Sequence, residues 1–404
     1  MCLSLCLCLS SSPALFSFFC LLLVPYTVIL LLITESTILY RYLRKFWQPV
    51  ALSKEIAPGK AMPIHVMGDK YTLYRGETGN AHMVGFRCSH RSAQLSIGWI
   101  RGDCIQCMYH GWTFDGNGNC VNRPGELEEG TFPRANIPGY PVHEHLGVIY
   151  AYLGKDEAPE FPAFIAYSEE YTLENHVLTF PSNWFQTMEN HFDEAHVTFV
   201  HSFGGSHDAL DRIDVPEMNI YETDYGMIRE TKVPRSDRVR KTLYYMPNIM
   251  RIIIPTFNDL MAFGGWRDTF IIIVPTNDNN HRVFFTMNVQ IDEADREPYL
   301  QLQKEFSEKV KAWPPIHELA LEILEGKSHL LDHMDHPHLL LLEDSITQAG
   351  QGQMVDRNLE MLGRTDAGVA TMRRIYEREM RAVANGEPGK IWVSSGELPD
   401  PGFD

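Results

Sequence analysis

The chain has no charged residue before Glu35, although charged residues make up 22% of its 404 positions. It also has no Gly-x-Gly-x-x-Gly string after a strand-like run and no flavin motif, so it is not equipped to take electrons from nicotinamide by itself. Basic residues are scarce: 35 Lys and Arg stand against 52 Asp and Glu, for a net charge of -17 with no basic stripe. Such a surface repels phosphate backbones and excludes nucleic acid as a partner. Internal repeats are absent, which excludes a repeat array. Cysteines number eight and fall into two groups, Cys2, Cys6, Cys8 and Cys20, then Cys88, Cys104, Cys107 and Cys120. A secreted disulfide framework would spread them through a smaller chain. Grouped beside histidines, the second set points instead to metal binding in a reducing compartment.

The length predicts two or three domains at ~100–200 residues each, with ample material for a core. Pro13 to Thr34 is almost wholly apolar and interrupted mainly by Pro25. About 20 apolar residues can cross a bilayer as a helix. A basic stretch before the apolar run and a small-residue cleavage site are both missing, which argues against a cleaved signal. Arg41, Arg44 and Lys45 follow the leader, and flanking basic residues prefer the cytoplasmic side. The expectation is a cytoplasmic protein anchored through residues 13–34. The alternative is a start-site artefact, but the next methionine, Met62, already lies inside the folded region.

From Phe46 to about Gly154, short apolar runs alternate with turn signals such as Asp115-Gly116-Asn117-Gly118, which predicts a small all-β unit. Ala158 to Pro162 has a linker's composition. Trp184 to Phe203 has helical character; the later runs MNIYETDYGMIRETKV, MRIIIPTF, TFIIIVPT and HRVFFTMNVQI predict an antiparallel sheet. Helical patterns return over Tyr299–Trp313 and Thr365–Asn385. The expected architecture is α+β: an apolar N-terminal helix (1–38), an all-β metal-binding domain (39–157) and a catalytic domain of antiparallel sheet plus helices (158–404).

Cys88-Ser89-His90 is followed after sixteen residues by Cys107-Met108-Tyr109-His110. Each half offers one thiolate and one imidazole. A Rieske [2Fe-2S] centre needs two Cys on one iron and two His on the other, and the His pair raises its potential above that of an all-Cys cluster. A zinc knuckle through Cys104-x-x-Cys107-x-x-His110 is the rival, but the second Cys/His pair of a standard zinc spacing is missing nearby. Cys104 is then a buried strand residue.

A second string runs Glu189-Asn190-His191-Phe192-Asp193-Glu194-Ala195-His196, with His201 five residues on. Two His and one carboxylate on one face of an iron leave positions open for dioxygen and substrate. Asp193 and His196 share a helix face at i,i+3. His196 and His201 are about 140° apart around a regular helix, so they converge only if the helix ends or breaks there. A plain surface helix is the competing reading. The third ligand must come from elsewhere, and Asp332, Asp335, Glu343 and Asp344 are the candidates. Pro337 within Asp332–His338 makes that stretch a solvated loop rather than a metal site. Met250, Phe257, Met261 and Phe263 are read as core rather than pocket lining.

RCSHRSAQLSIGW, CMYHGWTFDGNGNCV, FWQPVALSKEI and GVIYAYLG resemble the Rieske domain of ring-hydroxylating oxygenases, with Ser92 where that family usually has glycine. Asn190-x-x-Asp193-x-x-His196-x4-His201 resembles the same family's mononuclear iron motif, and EDSITQAGQG with DRNLEMLGRTDAGV its C-terminal segment. The chain is thus similar to the catalytic α subunits of the trimeric, phthalate oxygenase-like group, whose catalytic domain is a helix-grip fold.

The resemblance implies a Rieske cluster on Cys88, His90, Cys107 and His110 and a mononuclear Fe(II) on His196, His201 and Asp344. His191 matches no ligand position and is expected to be polar surface. Asn190 lies near the iron in that family. The resemblance also implies a homotrimer in which the Asp193 carboxylate accepts hydrogen bonds from His196 of its own chain and from His110 of the neighbour. Electrons would come from a separate NAD(P)H-dependent reductase or ferredoxin, with O2 as co-substrate and a small aromatic or other cyclic molecule as substrate. Monooxygenases, dioxygenases and demethylases all occur in the group. A membrane-tethered sterol or pigment oxygenase and a non-catalytic electron carrier are the alternatives.

Overall fold

A computed structural model describes residues 37–126, 133–162, 172–201, 217–232, 239–255, 266–289, 291–352 and 354–393. The apolar leader and the positions of Phe257, Met261 and Phe263 lie outside them. Among the described residues no helix is long and apolar enough to cross a membrane.

The first half is all β, as the turn-rich pattern predicts. Three antiparallel sheets form between Trp47 and Tyr152, two of four strands and one of three. The sheet running from Trp99–Arg101 through Cys104–Gln106 and Thr113–Phe114 to Cys120–Asn122 carries the second Cys/His loop. It rests on a separate small core that includes Leu95, Ile100, Ile105 and Phe114. The Asp115–Asn119 turn closes on the Asp115 side chain, whose Oδ1 accepts from Asn117 N at 2.9 Å and Asn119 N at 2.8 Å. Asp and Asn close turns in this way because their short side chains reach their own backbone.

The second half is a seven-stranded antiparallel sheet with helices. Its order is Thr172–Phe180, His281–Val289, Trp266–Pro275, Ile249–Pro255, Val239–Tyr245, Gly226–Lys232 and Met218–Glu222. The described helices are α1 (Ile38–Leu43), α2 (Trp184–Phe192), α3 (Ala195–Val200), α4 (Glu293–Lys311), α5 (Ile316–Leu324), α6 (Leu339–Gly350) and α7 (Ala367–Ala384). One apolar core joins this sheet to the three-stranded sheet that holds Val50 and Tyr150. Met250 belongs to it and is 5% exposed. Polar ties cross the same boundary: Asn248 Nδ2 donates to Gln48 Oε1 at 2.8 Å and Arg282 Nη1 to Val50 O at 2.9 Å. The short helix α1 packs against α7, and Trp392 Nε1 donates to Tyr42 OH at 3.1 Å. The 38/39 boundary expected from sequence therefore falls inside a helix that packs on the C-terminal half.

Candidate metal centres

The two Cys/His loops repeat one hydrogen-bond plan. Cys88 N donates to Ala93 O at 2.8 Å, and Ser92 N donates back to Cys88 O at 2.9 Å. Cys107 N donates to Trp112 O at 2.8 Å, and Gly111 N to Cys107 O at 2.9 Å. Each loop thus turns within five residues and aims its cysteine inward. Both cysteines are 2% exposed, whereas His90 and His110 lie at the surface. The two imidazoles meet edge to face with centroids 4.5 Å apart, and His90 stacks on Trp112 at 4.7 Å. Burial, opposed in part by the His90 backbone and reinforced by the adjacent Cys107, pushes the Cys88 thiol up to about 11. Paired buried thiols beside paired outer imidazoles fit a cluster with its sulfur-ligated iron inside and its imidazole-ligated iron outside. Cys104 opens its strand and is half-buried, apart from this set.

The second centre depends on a helix that breaks. Asn183 caps α2, accepting from Phe185 N at 3.0 Å, while Gln186 Oε1 accepts from Asn183 N at 3.2 Å. This is the reciprocal arrangement that fixes a helix start. The helix stops at Asp193, whose backbone is extended at φ -93°, ψ 103°. A new helix then starts, with Asp193 Oδ1 accepting from Ala195 N at 2.9 Å and His196 N at 3.3 Å. The turn is clamped from the sheet. The His191 carbonyl accepts from Arg229 Nη1 at 2.6 Å and from the Tyr244 hydroxyl. Glu194, 6% exposed, pairs with Arg229 at 2.7 Å and with Arg240. His191 is half-buried rather than polar surface: its Nδ1 is buried without a hydrogen-bond partner, and burial lowers its pKa to about 3.

The break brings His196 and His201 together with Asp344 of α6. Ligand atoms of the three lie within 4.8 Å of one another. Asp344 Oδ1 is 3.7 Å from His196 Nε2 and 3.6 Å from His201 Nε2. Asn190 Nδ2 donates to the same Oδ1 at 3.3 Å. The outer nitrogens are occupied. His196 Nδ1 meets the Asp193 carbonyl, and His201 Nδ1 lies 3.0 Å from Glu343 Oε2. Such acceptors hold the proton on Nδ1 and leave each Nε2 lone pair free for a metal. Burial lowers His196 to about 4 and so keeps it neutral, while burial raises Asp344 to about 6. In His201 burial opposes the charged form, but the Glu343 hydrogen bond and the Asp344 and Glu343 charges raise its pKa. Two imidazole nitrogens and one carboxylate oxygen, the only His, Cys, Asp or Glu ligand atoms that converge here among the described residues, fit a ferrous ion with positions to spare.

One expected contact differs. The His196 imidazole is oriented by the Asp193 main-chain carbonyl, and the Asp193 carboxylate stands 4.0 Å from Nδ1. That carboxylate is engaged instead in starting α3. Of the other acidic candidates, Asp332 Oδ2 caps a short turn by accepting from His329 N at 2.9 Å. Among the described residues, no single-ion group beyond His196, His201 and Asp344 gathers its ligand atoms so closely, and none of Asp332, Asp335 and Glu343 joins that group.

Residues 46–140 match the Rieske [2Fe-2S] domain model. The chain is 28% identical over 378 residues to the 5,5'-dehydrodivanillate O-demethylase oxygenase subunit of Sphingobium sp., covering 87% of this chain and 78% of that protein. It is 27% identical to the phenoxybenzoate dioxygenase subunit alpha of Ectopseudomonas oleovorans, covering 88% and 84%. The fold is similar to that of Pseudomonas putida CBB5 NdmB, with TM-score 0.64, 20% identity and coverage of 89% and 95%.

Proposed function

This chain carries a Rieske domain and is homologous to the catalytic subunits of Rieske oxygenases, and from that premise we propose that it is the terminal oxygenase of a multicomponent system acting on an aromatic substrate. Cys88 and Cys107 hold one iron of the cluster, and His90 and His110 hold the other. His196, His201 and Asp344 hold a ferrous ion, and Asn190 fastens the Asp344 oxygen. When bound, the cluster supplies electrons one at a time and the ferrous ion supplies a redox centre with open positions for dioxygen. A separate NAD(P)H-dependent reductase or ferredoxin provides the electrons. The reaction is hydroxylation or oxidative demethylation.

The observation that carries this reading is the convergence of His196 Nε2, His201 Nε2 and Asp344 Oδ1, with both outer imidazole nitrogens already engaged. A mere electron carrier has no use for that arrangement. Three subunits form a ring in which Asp193 meets His110 of the neighbouring chain; the surface position of His110 and the head-to-tail logic of cyclic assemblies support this. Residues 13–34 tether the assembly to a membrane, on the strength of their almost wholly apolar character. The test is metal analysis joined to oxygen uptake. Three irons per chain and substrate-dependent uptake with a surrogate reductase are expected from a panel of aromatic acids and aryl ethers. Two irons and no uptake would leave only an electron carrier.

A further inference from the structure

His196 and His201 are not held alike. The outer nitrogen of His196 meets a main-chain carbonyl, that of Asp193. The outer nitrogen of His201 meets a carboxylate, Glu343 Oε2, at 3.0 Å. Glu343 and Asp344 are consecutive on α6, yet they reach opposite nitrogens of one ring: Asp344 Oδ1 is 3.6 Å from Nε2. The Glu343 side chain is 1% exposed, and its second oxygen is buried without a hydrogen-bond partner. A buried carboxylate with one hydrogen bond is costly unless a positive charge compensates it. No Lys or Arg forms an ion pair with it among the described residues; its partner there is His201.

Resting on the ferrous-site reading above, we propose that Glu343 is a positioning residue for His201: its carboxylate locks the Nδ1–H tautomer and makes this imidazole the stronger nitrogen donor of the pair. The arrangement also balances charge. Asp344 and Glu343 together contribute two negative charges, one at the metal and one behind His201, against the two positive charges of Fe(II). Behind His196 the hydrogen-bonding atom is a neutral carbonyl, and the Asp193 carboxylate stands off at 4.0 Å, engaged with the backbone at the start of α3. Carboxylate partners of this kind raise the basicity of a ligating imidazole and commonly change metal affinity by about 10–100-fold when removed.

Glu343→Gln keeps an acceptor of the same shape and removes the charge. Glu343→Ala removes both. The measurement is release of iron from the anaerobically reduced holoenzyme to ferrozine, with the cluster's visible absorption and the melting temperature followed in the same samples. Release is expected to be about 10–100-fold faster in the Ala variant and intermediate in the Gln variant, with cluster absorption unchanged. Release within twofold of wild type in both variants would overturn the proposal. So would a Gln variant whose faster release merely tracks a fall in melting temperature and cluster absorption, because that is the signature of an ordinary core acid. A wild-type protein that carries only two irons would remove the ferrous site itself, an outcome distinct from three irons held equally well by all variants.

Discussion

Ser92 and Gly111 hold equivalent places in the two cluster loops, each four residues after its cysteine and each in the left-handed region, at φ 57° and 75°. Each donates its N–H back to that cysteine's carbonyl. The loops are otherwise unequal. A Cβ on Gly111 would meet Pro124 Cγ at 2.7 Å, whereas Ser92 already carries one. Ser92→Gly should therefore change the melting temperature little. Relief of about 1–2 kcal/mol of left-handed strain is offset by about 0.5–1 kcal/mol of added chain freedom. Gly111→Ala should cost more and lose cluster absorption. Equal behaviour of the two variants would refute the distinction.

Arg229 serves both sides of the helix break, through the His191 carbonyl and the Glu194 carboxylate. Removing one partner from a buried pair typically costs about 3–5 kcal/mol. Arg229→Met should lower the melting temperature and reduce mononuclear iron occupancy while cluster absorption persists, since the cluster stands on a separate core. Full iron occupancy in a destabilised variant would mean that the clamp supports the fold but not the site.

The Cys/His spacing is readable because both loops are local and their ligands lie within a few residues. The break between α2 and α3 is readable only as a requirement, since His196 and His201 cannot otherwise converge. What enforces it comes from Arg229, Arg240 and Tyr244, strands away in sequence, and no local pattern reveals such partners. Glu343 stood among the acidic candidates, but periodicity cannot tell a residue that meets Nδ1 from one that meets Nε2. His191 looked like surface because its burial is set by the sheet beneath α2. Ser92 in a glycine's place was visible; the positive φ it tolerates was not.

His281 backs the contact between α2 and α6. It is fully buried, with Nδ1 2.8 Å from Ser182 O and Nε2 2.7 Å from Thr187 Oγ1, and Thr187 in turn contacts Gln348 of α6. Burial lowers its pKa from 6.5 to about 4. The folded state therefore resists a proton that the unfolded chain accepts. The stabilisation is fully present above pH 6.5 and is lost as pH falls toward 4, by up to about 3 kcal/mol. Melting temperatures measured from pH 7 to 4 should fall. His281→Gln should start lower and fall less; a parallel fall would assign the acid sensitivity to other groups.

His196→Ala should abolish oxygenation and remove one iron of three while leaving the visible spectrum of the cluster. Asp344→Ala should do the same. Asp344→Asn should be milder, because an amide oxygen can still face both Nε2 atoms. Metal analysis beside absorption spectroscopy separates the centres. Loss of the cluster spectrum in His196→Ala would mean that the two are not independent.

Asp193 has two tasks that one substitution can separate. Its Oδ1 starts α3 by accepting from Ala195 N and His196 N, and its main-chain carbonyl orients His196. Neither task needs a negative charge. The proposed bridge to a neighbouring chain's His110 does, because with Oδ1 engaged at the start of α3 a carboxylate still offers Oδ2 as an acceptor, whereas an amide would present its NH2 there. Asp193→Asn should therefore retain three irons and a normal melting temperature. Steady-state turnover should nevertheless slow by about 10–100-fold, the usual cost of losing an outer carboxylate at a metal site. Asp193→Ala should additionally unseat the start of α3 and lose mononuclear iron. The decisive comparison is a single turnover of fully reduced Asp193→Asn against wild type. Slow delivery with both centres loaded places the defect between subunits, and near-normal delivery would sink the bridging role while leaving the capping role intact.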